Sequence, residues 1–172
     1  MHRYGRADPF RPPLRSGRLV STRKAGVAVS TLRTIPAPAQ ALLGSDALAH
    51  VITRNADGSP QVSVVWCGIR GDRVVFCTEG STAKVRNLRR DPRVVLSIED
   101  EVRNLAGTQH HLVVHGTAKV LGPADPDLCD ELCRTYVGRA DHPTNLKDSP
   151  TAVTVAVDVE RLAGNGPWTV DD

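Results

Sequence analysis

Between Ala47 and Thr78 three β-rich stretches are separated by two tight turns, and this spacing constrains the fold more than any other feature of the chain. "ALAHVITRN" (47–55) runs into "ADGSP" (56–60), "QVSVVWCGI" (61–69) follows, and "RGD" (70–72) reverses the chain into "RVVFCT" (73–78). Runs of Val, Ile, Thr and aromatic residues bounded by Gly, Asp, Asn and Pro read as strands joined by hairpins. Connections this short join antiparallel neighbours, because a parallel pair needs a crossover of a dozen or more residues.

Three more strands are predicted downstream: "RVVLSIED" (93–100), "HHLVVHGTAKVLG" (110–122) and "TAVTVAVDVE" (151–160). Gly116 lies inside the second, where a glycine marks a bulge or a close backbone approach. "PAPAQALLGSD" (36–46) reads as a short helix with Pro near its start and Gly44 near its end. "DPDLCDELCRTYVG" (125–138) reads as another. Leu128, Leu132 and Tyr136 recur every four residues, and Cys129 and Cys133 widen the apolar face. The expected fold class is mainly β with short α-helices, a six-stranded antiparallel barrel with helices packed outside.

"GSTAKVRNLRRDP" (80–92) carries the candidate chemistry. It reads as a helix capped by Ser81 or Thr82 and stopped before Pro92. Cations near a helix N-terminus are unfavourable, yet Lys84 and Arg86 stand in its first turns. Val85 and Leu88 are three apart and are expected to face the core. Lys84 and Asn87, also three apart, are expected to share an outward face with Arg86 nearby. Free N–H groups, a hydroxyl, an ammonium and an amide at one spot would hold a phosphate. On spacing alone the run also reads as a solvated basic helix.

Charge is uneven. Residues 1–38 hold eight of the 22 Lys and Arg residues but one of the 19 acids. Residues 1–35 are expected to be a basic, disordered extension, and 36–172 the folded domain. A basic tail also fits nucleic acid or an anionic surface; nucleic acid is not the expected partner. The four cysteines contain no CxxC pair. If Arg70 pairs with Arg73 across the 70–72 turn, Cys67 and Cys77 fall on opposite faces, so four reduced thiols are expected. His111 and His115 share a strand face opposite His110, and no ligand cluster has metal spacing, so no metal is expected. No run approaches 18 apolar residues, and no apolar leader stretch is apparent. A soluble cytoplasmic protein without a membrane partner is expected.

Taken in order, the pair around "DGSPQVSVVW", "TAKVRNLRRDPRV", "VHG", "CRTYVGR" and "GPW" resemble the pyridoxamine-5′-phosphate-oxidase-like split-barrel superfamily over about residues 36–168. The pattern is most similar to the branch that uses the deazaflavin coenzyme F420. The resemblance implies a six-stranded split barrel and a homodimer with cofactor at the interface. It implies that Ser81, Thr82, Lys84, Arg86 and Asn87 surround the cofactor phosphate. It places Thr78 near the ribityl chain, and Gln61, Ser63, Val65 and Trp66 along the flat ring. Tyr136, Arg139 and Trp168 would shape a substrate pocket. The activity implied is hydride transfer to a small unsaturated or carbonyl acceptor, with the chemistry carried by the cofactor and no catalytic side chain named. FMN is the alternative cofactor, and a non-catalytic carrier of F420, flavin or haem the alternative function. Arg86, Arg89, Arg90 and Arg139 are expected to favour F420, whose oligoglutamate tail adds negative charge.

Overall fold

The computed structural model describes residues 34–168. The expected basic extension lies almost wholly outside them. Helix α1 spans Ala37–Leu43, α2 Ala83–Arg90 and α3 Pro126–Val137. The strands are β1 (Ala49–Arg54), β2 (Pro60–Val65), β3 (Gly68–Arg70), β4 (Arg73–Glu79), β5 (Arg93–Arg103), β6 (Gln109–Pro123) and β7 (Ala152–Asn165).

All seven strands form one antiparallel sheet in the order β2-β1-β5-β6-β7-β4-β3. The expectation of six strands is corrected at Gln61–Ile69. These residues are rich in strand formers (Val62, Val64, Val65, Trp66, Ile69), but the strand breaks at Trp66–Cys67 into β2 and β3. The two halves occupy opposite edges of the sheet. Only two residues join them, so the edges lie within about 11 Å of each other, the reach of three extended residues. The sheet is therefore rolled, with an open seam at Trp66–Cys67. The inside of the roll holds the main core, with Val51, Phe76, Leu96, Ile98, Leu112 and Val155 buried. Helix α1 adds Ala39, Leu42 and Leu43, and α2 adds Val85 and Leu88.

The turn signals hold. Arg70 pairs with Arg73 across Gly71, whose φ of 59° suits glycine. Gly116 sits at a register shift between β6 and β7, where a Cβ would collide with the Asp158 carbonyl. Asp125 caps α3 by accepting from the N–H groups of Asp127 and Leu128 (3.0 and 3.4 Å), and Gly138 ends it in the left-handed region. Leu128 and Leu132 then pack on Val75 and Ala156, on the outer face of the sheet. All four cysteines are free. Among the described residues no helix is long and apolar enough to cross a membrane, and no group of three metal-ligating side chains is present.

Candidate functional site

The seam opens into a cavity of about 320 Å³, within the range of small-molecule sites. Val64, Val65 and Trp66 border it from the end of β2, Cys77, Thr78 and Glu79 from the end of β4, Thr82 and Lys84 from the start of α2. Leu132 and Cys133 of α3, with Thr144 and Leu146 of the following loop, close another side.

Lys84 is the principal charge. It does not face outward as its helical position suggested, but is buried, at 9% exposure. Its Nζ donates to Thr78 Oγ1 at 3.0 Å. Burial holds its pKa below the ordinary lysine value. Among the described residues it has no ion-pair partner. Glu79, the other charge in the wall, does not serve as one: its carboxylate accepts from Thr151 Oγ1 (2.6 Å) and Ser149 Oγ (2.8 Å), and these bonds lower its pKa. A buried ammonium without a counter-charge is costly. Thr78, 6% exposed, accepts a hydrogen bond from the lysine ammonium and so keeps its own hydroxyl hydrogen to donate. The result is a cavity that sets a buried ammonium and the Thr78 hydroxyl at one end, with the Glu79 carboxylate engaged by Thr151 and Ser149, and apolar side chains of Val65, Trp66 and Leu132 along its wall.

The remaining α2 residues are placed differently from the expectation. Thr82 occupies the N-cap position, but its hydroxyl donates back to the Glu79 carbonyl at 2.9 Å and caps nothing. Ser81 and Arg86 do not line the cavity; the exposed Arg86 guanidinium donates to the Ser81 carbonyl. That acceptor accounts for a cation in the first turn without any bound anion. Asn87 is 4% exposed and turned toward β1, donating to Thr53 Oγ1 and Asn55 Oδ1 at 3.0 Å each. Lys84 and Asn87 therefore lie on two flanks of α2, one toward β4 and one toward β1. Positions three apart are about 60° apart around a helix, enough for a long and a short side chain to diverge.

Thr53 continues the Asn87 network by donating to Gln61 Oε1 at 2.8 Å. Gln61 is thus engaged in tying β2 to β1 and does not line the cavity, and neither does Ser63, whose shielded Oγ has no hydrogen-bond partner among the described residues. Val65 and Trp66 do line it. Replacing Thr53 by Val should remove two hydrogen bonds while keeping shape, costing about 1–3 kcal/mol. A thermal melt should show the midpoint lowered by about 2–12 °C.

Tyr136 reaches the seam rather than the cavity. Its hydroxyl accepts from the Cys67 N–H (3.1 Å) and lies within donating distance of the carbonyls of Ala47 (3.0 Å) and Cys67 (3.2 Å). Its ring stacks on Trp66, with centroids 5.3 Å apart and planes 11° from parallel. Burial, first among the causes, pushes its pKa well above the ordinary tyrosine value. Arg139 is exposed and 3.7 Å from Asp141. Trp168 is 3% exposed in the main core, with its indole N–H on the His111 carbonyl at 3.1 Å. None of these three lines the cavity. His115 borders a separate groove beside Arg54, Asp91 and Arg93.

The family model for pyridoxamine 5′-phosphate oxidase matches residues 35–165. The chain belongs to the pyridoxamine 5′-phosphate oxidase family. Its fold is similar to that of a protein described as an F420 reductase, at 22% identity over 72% of this chain and 94% of that one, with a TM-score of 0.56. A conserved hypothetical protein from Mycobacterium tuberculosis is 20% identical over 84% and 89% of the two chains, with a TM-score of 0.62. A haem storage protein from Vibrio cholerae is 14% identical over 77% and 95%, with a TM-score of 0.58. At these identities the likeness is one of fold. No curated protein gives a significant sequence match. The family match ends before Trp168, and it contains the whole lining of the cavity.

The site holds residues that the sequence reading did not select: Leu48, Val64, Cys77, Glu79, Cys129, Leu132, Cys133, Thr144 and Leu146. Cys77 and Glu79 flank Thr78, and that adjacency was the available signal. Thr144 and Leu146 belong to a loop without periodicity, so nothing local marked them.

Proposed function

We propose that this family member is a cytoplasmic F420-dependent oxidoreductase that passes a hydride from the reduced cofactor to a small unsaturated or carbonyl acceptor. The observation that carries the reading is Lys84, a buried ammonium with no counter-charge among the described residues, beside the Thr78 hydroxyl at one end of a cavity walled by Val65, Trp66 and Leu132. These residues fit a ligand that is flat and apolar at one end and phosphorylated at the other. Bound F420 would supply the hydride chemistry. Lys84 and Thr78 bind and neutralise the phosphate, Trp66 and Val65 position the ring, and the apolar wall excludes water.

The reading includes the split-barrel assembly as a homodimer. Val62 and Val64 on the outer face of β2 are 57% and 50% exposed, with Leu48 beside them at 49%. Val64 and Leu48 also border the cavity, so a second copy covering this face would complete the site.

One observation favours FMN as the second reading. Arg86 is engaged with the Ser81 carbonyl and Arg139 lies near Asp141, so neither of these cations marks a place for an oligoglutamate tail. Titration of the full-length protein with F420 and with FMN, followed by fluorescence, separates them. F420 is expected to bind more tightly; tighter FMN binding moves the protein to the flavin reading. Binding without turnover of any enone, quinone or carbonyl acceptor would make it a carrier.

A further inference from the structure

Three of the four thiols, Cys77 on β4 and Cys129 and Cys133 on α3, border the cavity, and the proposed activity uses none of them. Cys129 is 3% exposed and Cys77 packs against it. The two thiols share one packed cluster with Ala124 and Ala152, and Cys77 Sγ also lies 3.9 Å from Thr154 Oγ1. Cys77 is the more accessible of the pair. Cys67 is held elsewhere, 3.9 Å from the Tyr136 hydroxyl at the seam, and Cys133 sits one helical turn beyond Cys129.

We propose that Cys77 and Cys129 form a dithiol that closes to a disulfide when hydrogen peroxide reaches the cavity. In the first step the Cys77 sulfur attacks one peroxide oxygen. An S–O bond forms, the O–O bond breaks, the thiol proton goes to the departing oxygen, and water leaves. In the second step the Cys129 sulfur attacks the Cys77 sulfur. The S–S bond forms, the S–O bond breaks, and a second water carries away the remaining thiol proton. Two thiols have lost two electrons, and one peroxide has been reduced to two waters. Cys77 reacts first because it is open to the cavity, and Cys129 resolves because it lies in contact. Burial raises both pKa values, that of Cys129 to about 12, so both thiols are protonated at neutral pH and the closure is slow. The bond would tie β4 to α3 immediately beside Thr78. It does not depend on which cofactor the cavity takes.

The test is exposure of full-length protein to hydrogen peroxide, followed by alkylation, intact mass and peptide mapping. The expected result is loss of two of the four free thiols, a mass decrease of two hydrogens, and a linked peptide joining Cys77 to Cys129 that a thiol reductant opens. Cys133→Ser should behave as the parent. Cys129→Ser should accumulate oxygen adducts on Cys77 without a link. A parent protein oxidised at Cys77 alone, a link through Cys67 or Cys133, or four thiols left intact would overturn the proposal. The parent map decides the matter even if a serine variant does not fold.

Discussion

Lys84→Met is expected to weaken binding of the phosphorylated cofactor roughly ten- to 150-fold while leaving the apo-protein at least as stable. The first effect is the loss of a charge-assisted hydrogen bond, about 1.5–3 kcal/mol. The second follows from burial. Lys84 has a folded-state pKa below its unfolded value, so the unfolded chain holds the proton more firmly. The charged lysine therefore costs stability at neutral pH, and that cost lessens as pH rises through the depressed folded-state pKa toward the unfolded one. Met keeps the length of the side chain and removes the charge, giving up only the bond to Thr78. Titration and a thermal melt on the same sample read both effects. A fall in both affinity and melting temperature would show that Lys84 is a structural residue.

Tyr136→Phe is expected to destabilise the fold by about 1–3 kcal/mol, because it leaves the Cys67 N–H without its acceptor. That is a melting temperature lower by about 2–12 °C. The stack on Trp66 survives in Phe, so the near-ultraviolet signal of Trp66 should persist in the folded variant. The effect is structural because the hydroxyl bonds the Cys67 backbone at the break between β2 and β3, where the chain passes from one edge of the sheet to the other. Cofactor affinity should fall less than for Lys84→Met, since Tyr136 does not line the cavity.

The local parts of this architecture were legible because their causes are local. Asp125 and Gly138 bracket α3, Arg70–Arg73 sets the hairpin, and Gly116 marks the bulge, each through backbone conformation or capping within a few residues. The break at Trp66–Cys67 was not legible, because Gln61–Ile69 alternates well enough for one strand and only the rolled sheet forces it to serve two edges. Candidate anchors were legible as residue types and only partly as positions. Lys84 and Thr78 converge because α2 follows β4 directly. Asn87 belongs to Thr53 and Asn55, more than 30 residues earlier, and nothing in the run 80–92 encodes that partnership. Arg86 satisfies itself on the chain that precedes it.

The central claim is that Lys84 and Thr78 anchor a phosphate at the end of a flat-ring cavity. The most direct measurement compares ligands that differ in that group alone: FMN against riboflavin, and F420 against its phosphate-free deazariboflavin core, each titrated into the full-length protein. The phosphorylated member of the pair that binds is expected to be at least ten-fold tighter, and Lys84→Met should abolish the difference. Equal affinity with and without the phosphate would contradict the account.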